Sequence, residues 1–320
     1  EVIRQTKKYP AIDAILMRLP PSIKGHTEGK PLTTDRATVK EVSAVVASMN
    51  SSYLFIQGPP GAGKTYTGSR VILDLLKAGK RVGVTSNSHK AIVNLLHAIE
   101  KEALATSFKF KGIKKSSKDS ELDQVRGELI KDVYDTRSFL ASNAQLISGT
   151  AWAMADPHLD QTLDYLFVDE AGQVSLGHLI PAATSSKNIV PLGDQMQLSQ
   201  PTQGVHPGES GLSVLDFLLK GQATIAPDRG IFLGTTWRMH PKVCKFISDA
   251  VYDSRLQPEP RNEKRQLLLR KDADSSLIPA GIKFIPVSHQ GCTQHSHQEV
   301  QKIKSIYLNL LEQSYTDEGG

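Results

Sequence analysis

The segment GPPGAGKT, Gly58 to Thr65, constrains this 320-residue chain more than any other stretch. It fits the pattern G-x-x-x-x-G-K-[ST], follows the apolar run YLFIQG (53–58) and opens KTYTGSRVILDLLKAG (64–79). The first reads as a strand and the second as a helix, the context a phosphate-binding loop requires. Glycines there let main-chain N–H groups turn inward around phosphate oxygens, and the helix N-terminus adds partial positive charge. Lys64 is then placed to reach the β and γ phosphates of a nucleotide, and the Thr65 hydroxyl to coordinate Mg²⁺. Gly58, Pro59, Pro60, Gly61, Ala62, Gly63, Lys64, Thr65 and the adjoining Tyr66 form the expected nucleotide cradle.

Five further runs repeat the form of YLFIQG: RVGVTS (81–86), QLISGT (145–150), YLFVDE (165–170), NIVPLGD (188–194) and GIFLGTTW (230–237). Continuous apolar runs of this length mark strands buried on both faces. Helical patterns lie between them; in 64–79, Val71, Leu75 and Ala78 share a face and Gly79 supplies the stop. The alternation predicts an α/β chain with a doubly wound parallel sheet, flanked by helices and binding ligands at the carboxyl ends of its strands.

Residues 100–144 interrupt this rhythm with the lysine-rich SFKFKGIKKSSKD, followed by a helix predicted over 120–140 and opened by Ser120. Lys109, Lys111, Lys114, Lys115 and Lys118 read either as phosphate contacts or as a solvated loop. Farther on, QPEPRNEKRQ (257–266) reads as a linker, GIKFIPVSH (281–289) as a strand and QEVQKIKSIYLNLLEQ (298–313) as an amphipathic helix. The chain thus divides into an N-terminal extension (1–31), a main domain (32–256, with the insertion at about 100–144) and a linker with the truncated start of a second domain (257–320). It opens at Glu1 without a methionine and reads as a piece of a longer protein.

DYLFVDEAGQ ends an apolar strand in two acids. Asp169 is suited to hold Mg²⁺ through its water shell and Glu170 to take the proton of an attacking water, so the pattern predicts hydrolysis and not binding alone. A net charge of +5 and a pI near 9.0 are compatible with a polyanionic partner. No run approaches the roughly 18 apolar residues of a membrane span. Two cysteines, Cys244 and Cys292, make no framework of their own, which favours a reducing, cytoplasmic setting without membrane association. His289, Cys292, His295 and His297 read as a polar loop and not a zinc site, because no partner pair occurs elsewhere.

The phosphate loop, TSNSHKAI, SGT, DEAGQ, GDQMQLSQP and TTWRMHP follow the order and spacing of the superfamily 1 helicases. The chain resembles subgroup B, which holds flap-processing DNA helicases and nonsense-mediated-decay RNA helicases. SYLFIQGPPGAGKTYTG, GVTSNSHKAI and HPGESG resemble bacterial proteins in which a RecB-like nuclease is fused to such a helicase; the resemblance spans about residues 1–315. It implies a P-loop NTPase with a RecA-like sheet, using ATP and Mg²⁺ to move on single-stranded DNA, in preference to RNA, in the 5′ to 3′ direction beside a nuclease.

Carried onto this sequence, the resemblance makes Asp194 and Gln197 sensors of the γ phosphate, with Gln173 in the same polar network. Trp237 stacks on adenine and Arg238 clamps the γ phosphate, roles that suit a planar indole and a guanidinium fork. Lys64, Asp169, Glu170, Gln197 and Arg238 are the expected catalytic set, with Thr65 and Asp169 toward the metal. Ser86, Asn87, His89, Lys90 and Thr150 are expected on the sugar–phosphate chain of a single strand, and the 100–144 insertion lies where relatives carry a strand-contacting subdomain.

Two departures qualify the resemblance. Asp35 or Arg36 stands where relatives place an adenine-reading glutamine, which predicts broader nucleotide use. Nothing after Pro241 resembles the fifth and sixth motifs, and no nuclease acidic cluster is present, so the expectation is nucleotide binding and weak single-strand binding without unwinding. An RNA helicase, or a nucleotide-switched module that remodels partners without translocating, are the rival readings.

Overall fold

The computed structural model describes residues 8–118, 120–197, 204, 206–317 and 319. Part of the expected extension (1–7) and the LSQP end of GDQMQLSQP lie outside the described residues. The chain forms two compact units, Glu1–Gly234 and Thr235–Gly320, so 235–256 clusters with the second unit and not with the residues before it.

The first unit begins with α1 (Pro10–Leu16), α2 (Val39–Ala47), β1 (Phe55–Gln57), α3 (Lys64–Lys77), β2 (Val82–Thr85) and α4 (His89–Ala105). It continues with β3 (Gly112–Lys115), β4 (Ile130–Val133), α5 (Thr136–Leu140), β5 (Leu146–Ser148), α6 (Ala151–Met154) and β6 (Leu163–Val168). It closes with α7 (Leu176–Ala183), β7 (Ser186–Gly193), α8 (Val214–Leu219) and β8 (Gly230–Phe232). All eight strands pair in parallel in the order β4-β3-β5-β2-β6-β7-β1-β8. This is the P-loop NTPase, RecA-like architecture, and each of the six apolar runs contributes a strand to the sheet.

Burial follows the period-2 alternation of the strands. Ile56, Val82, Val84, Tyr165, Phe167, Val190 and Leu192 join α2, α3 and α4 in one core cluster. The intervening Phe55, Leu166, Val168 and Ile189 are equally buried and face the other layer, where α1 and α8 touch β7 and α6 packs on α7. Local sequence starts and stops the helices. Thr38 and Glu41 form a reciprocal capping box on α2, the Ser88 hydroxyl accepts from the Ala91 N–H at the head of α4, and Gly79 beyond α3 adopts the left-handed φ of 73° that the stop requires.

The helix predicted over 120–140 does not form. In its place are a short 3-10 turn at Glu121–Asp123, then β4 and α5. Two acids are committed to main-chain N–H groups of this stretch: Asp132 accepts from Val125 and Arg126, and Glu100 of α4 accepts from Leu129 and Ile130. Gly127 packs so tightly that a Cβ there would fall 2.5 Å from the Glu100 carboxylate. The lysine-rich stretch is therefore part of the main sheet, as its β3–β4 edge.

In the second unit, β9 (Thr235–Thr236) pairs in parallel with β10 (Gln257–Pro258) beside α9 (Pro241–Val251), and β11 (Gln266–Leu268) pairs antiparallel with β12 (Ser314–Thr316). α10 (His297–Leu310) matches the expected amphipathic helix. GIKFIPVSH forms no strand, because no described strand pairs with it; Phe284 within it is 85% exposed. Among the described residues, no helix is long and apolar enough to cross a membrane.

Candidate nucleotide site and nucleic-acid interface

The candidate residues of the first unit lie at the carboxyl ends of the parallel strands, as the fold demands of a ligand site. The phosphate loop follows β1, where the Gly58 N–H donates to the Gly193 carbonyl at 2.9 Å and ties the loop to the end of β7. Gly61 and Gly63 hold φ of 76° and 82°, a conformation costly for any other residue, and Gly63 caps α3. Lys64 folds back so that its ammonium donates to the Gly58 carbonyl at 2.9 Å. A Cβ at Gly58 would collide with the Lys64 stem, so a glycine is needed there too. Pro59 and Ala62 are buried, Pro60 and Thr65 half-buried, and Tyr66 is exposed with the Arg70 guanidinium 3.5 Å over its ring.

The acidic pair follows β6, two strands away. Asp169 is 5% exposed, its N–H donates to the Thr85 carbonyl at 2.9 Å, and its carboxylate accepts from the Glu170 N–H at 3.0 Å. Burial, then the neighbouring Glu170 charge, push its pKa up to about 6, while the Lys64 ammonium acts in the opposite sense. A cation placed beside this carboxylate would favour its charged form. Glu170 itself sits at φ 49°, a left-handed position that starts the turn Ala171–Gln173.

That turn packs on the end of β7. Asp194, 1% exposed, accepts at Oδ1 from the Met196 N–H at 3.3 Å, and its carbonyl accepts from Gln197 at 3.4 Å. The Gln173 N–H returns to the Glu170 carbonyl at 2.8 Å, and the Gln173 carbonyl accepts from the Asn87 side chain. Asp169, Glu170, Gln173, Asp194 and Gln197 thus meet at adjacent strand ends. Gln57, at the end of β1 and fully buried, was not singled out from the sequence. Its amide nitrogen donates to Gln195 Oε1 at 2.8 Å and to the Ala223 carbonyl at 2.9 Å, and its oxygen accepts from Ile225 N–H at 2.7 Å. The available signal was one polar letter closing an otherwise apolar strand.

The remaining expected contacts follow β2 and β5. Ser86 is 2% exposed, with its hydroxyl accepting from the Ser88 N–H at 3.3 Å, whereas His89 and Lys90 are exposed on the first turn of α4. Thr150 caps α6. His89 and Thr150 line a common cavity of about 500 Å³ with Lys115, Lys118 and Tyr134; Ser86, Asn87 and Lys90 do not line it. Lys114, read from the sequence as a phosphate contact or part of a solvated loop, is instead fully buried, with its ammonium bound by Asp123 and by Ser116 Oγ at 3.0 Å.

Trp237 and Arg238 belong to the second unit and are exposed. Their backbone is anchored: Arg238 N–H donates to Thr236 Oγ1 at 3.3 Å, and its carbonyl accepts from Arg265 at 3.1 Å. His240 caps α9 through Nδ1, and Pro241 takes the first helical position, so the run MHP starts a helix. Asp35 and Arg36 are exposed just before α2.

Among the described residues, no group of three or more His, Cys, Asp or Glu side chains is placed to hold a metal ion. The hydroxyl of Thr65 and the carboxylate of Asp169 are hard oxygen donors, and Mg²⁺ at nucleotide sites takes one or two protein ligands, with phosphate and water completing the shell. The residues present fit that ion.

A family model described as an AAA domain matches residues 41–202, and the chain belongs to that family. It is 27% identical to a Regulator of nonsense transcripts 1 homolog of Neurospora crassa, over 90% of this chain and 28% of that protein. It is 25% identical to the DNA polymerase alpha-associated DNA helicase A of Schizosaccharomyces pombe, over 72% of this chain and 41% of the relative. The ATP-dependent helicase NAM7 of Saccharomyces cerevisiae is 26% identical over 80% of this chain and 29% of its own length. The chain therefore spans less than half of these curated relatives. It is a P-loop NTPase with a RecA-like fold, related to ATP-dependent helicases.

Proposed function

We propose that this chain is the first RecA-like domain, with the start of the second, of a superfamily 1B helicase that couples ATP hydrolysis to 5′ to 3′ movement on single-stranded DNA, beside a RecB-like nuclease. One observation carries the reading: the buried Asp169 and the turn of Glu170 share adjacent strand ends with the phosphate loop and with Asp194. Lys64 binds the β and γ phosphates, Thr65 and Asp169 would hold Mg²⁺, and Glu170 accepts the proton of the attacking water. When bound, the ion neutralises charge on the phosphate oxygens. Gln173, Asp194 and Gln197 register the γ phosphate, Trp237 stacks on the base and Arg238 clamps the phosphate in the assembled protein.

Glu170→Gln tests this in the full-length protein. ATP affinity is expected to hold while turnover falls by about 10²- to 10⁴-fold, the usual weight of a general base; undiminished turnover sinks the assignment. Movement needs two RecA-like domains that close on ATP, so residues 1–320 alone are expected to bind nucleotide without unwinding duplex.

A second reading, an RNA helicase, is favoured by the likeness to a regulator of nonsense transcripts. ATPase stimulation by single-stranded DNA against RNA separates the two, and turnover indifferent to both points to a remodelling module that does not translocate.

A further inference from the structure

Gln57 is the last residue of β1, directly before the phosphate loop, and it is fully buried. An amide taken out of water costs free energy unless its groups are bonded. Main-chain partners fix the orientation of this one: its oxygen must face the Ile225 N–H at 2.7 Å and its nitrogen the Ala223 carbonyl at 2.9 Å. The nitrogen also donates to Gln195 Oε1 at 2.8 Å, and Gln195 sends its own amide nitrogen to the same Ala223 carbonyl at 2.6 Å. Two amides and one carbonyl thus close a triangle of hydrogen bonds. The bonds inside the turn that Gln195 belongs to are longer, 3.3 Å from the Met196 N–H to Asp194 Oδ1 and 3.4 Å from the Gln197 N–H to the Asp194 carbonyl.

We propose that Gln57 and Gln195 are positioning residues whose linked amides set the Asp194–Gln197 turn against the phosphate loop, so that the site tells ATP from ADP. This role rests on the reading above that Asp194 and Gln197 register the γ phosphate. The triangle spans the parts that must agree. Gln57 precedes Gly58, whose carbonyl accepts from the Lys64 ammonium at 2.9 Å, and Gln195 follows Asp194 directly. Ala223 and Ile225 lie between α8 and β8, on a segment that is itself fixed: Ile225 is 4% exposed, and a Cβ at Gly230 would fall 2.7 Å from its Cγ1. The Gln57 carbonyl accepts from the Leu233 N–H at 2.8 Å and holds the chain beyond β8 as well. Sealed from solvent, Gln57 acts through Gln195 and not on the nucleotide. A phosphate loop that grips the β phosphate serves ADP and ATP alike, and the sensor adds the contacts that ADP lacks. Loss of the link therefore shows in the ratio of the two affinities and not in both equally.

The test measures, in the full-length protein, dissociation constants for ADP and for the non-hydrolysable ATP analogue AMP-PNP, by displacement of a fluorescent ADP. Gln195→Met keeps the volume of a half-buried side chain and removes both of its hydrogen bonds. It is expected to lower the preference for the analogue over ADP by about 5-fold while ADP affinity holds. Gln195→Glu keeps an acceptor for Gln57 and is expected to retain part of the preference. Gln57→Leu is expected to show the same loss as Gln195→Met; if it does not fold, the half-buried position carries the test. Asp194→Asn, which alters the sensor itself, is the reference for a lost preference. A parent-like ratio in Gln195→Met beside a lowered one in Asp194→Asn overturns the link and leaves the sensor reading standing. Equal loss of ADP and analogue affinity in Gln195→Met marks a damaged fold and overturns the positioning role too. A parent that binds the two nucleotides alike, or a parent-like ratio in Asp194→Asn, overturns both the link and the sensor reading.

Discussion

The side-chain amide of Asn87 donates to the main-chain carbonyl of Gln173, joining the turn after β2 to the turn that carries the acidic pair. Because the Gln173 N–H in turn reaches the Glu170 carbonyl at 2.8 Å, displacement of one turn is felt by the other. In the proposed reading the turn after β2 meets the single strand and the other meets ATP, which would make this bond a short physical route between the two ligands. Asn87→Ala is expected to keep basal turnover and nucleotide affinity but to lose about 5-fold in stimulated turnover at saturating oligonucleotide. Reading the plateau and not the half-saturating concentration separates coupling from binding. An unchanged plateau would show that the route lies elsewhere.

A second close approach fixes the same turn. A Cβ at Gly172 would fall 2.5 Å from the Asp194 carbonyl oxygen, and one at Gly193 would fall 2.9 Å from the Ala171 nitrogen. Both neighbours are backbone, which yields only by moving the strand end or the turn. Gly172→Ala is expected to cost about 1–3 kcal/mol, the usual price of overpacking, read as a lower urea midpoint at unchanged m-value. Turnover is expected to fall with it, because the shift carries Glu170 and Asp194 apart. A midpoint equal to the parent would mean that the turn is looser than its geometry implies.

Asp169 makes stability depend on pH in a defined direction. Burial and the Glu170 charge raise its pKa from 3.8 to about 6, so across that window the folded chain keeps a proton that the unfolded chain releases. Stability contributed by the protonated form is complete below about 4 and is lost as pH rises through about 6, a penalty on the order of 3 kcal/mol at neutral pH. Asp169→Asn removes the charge, so without nucleotide or divalent cation it is expected to unfold at higher urea than the parent at neutral pH. The two are expected to converge as pH falls toward 4. A parent that remains the more stable across the range would refute the cost assigned to this carboxylate.

The phosphate loop, the acidic pair and six of the eight sheet strands were legible because each is a local pattern: a continuous apolar run followed by a turn that only certain residues can make. The β3–β4 edge was not. Glu121, Glu128 and Asp132 would share one face of a helix over 120–140, and only the folded chain reveals that Asp132 holds the backbone of Val125 and Arg126 or that Asp123 neutralises a buried Lys114. Gln57 was hidden for the same reason: its partners, Gln195, Ala223 and Ile225, are more than a hundred residues away. Sequence spacing reports neighbours along the chain, and these polar groups are satisfied across it.

Trp237 and Arg238 combine an anchored backbone with exposed side chains. Asn262, fully buried, donates to the carbonyls of Thr236 at 3.2 Å and Met239 at 3.1 Å, and so clamps the main chain on both sides of the pair while both side chains stay exposed. Such a clamp presents the two groups to a ligand with no backbone left to order at the moment of binding. In the full-length protein, Arg238→Ala is expected to slow hydrolysis by about 10³-fold or more, as for other arginines that meet the transferring phosphate. Lysine is not expected to restore it, since an ammonium lacks the planar fork. Trp237→Ala is expected to leave the maximal rate nearly intact and weaken nucleotide binding by about 1–3 kcal/mol. Asn262→Ala, which touches no ligand, is expected to impair both in part. If Arg238→Ala weakens affinity alone and Trp237→Ala slows the chemistry, the two roles are exchanged and the assignment of clamp and platform fails.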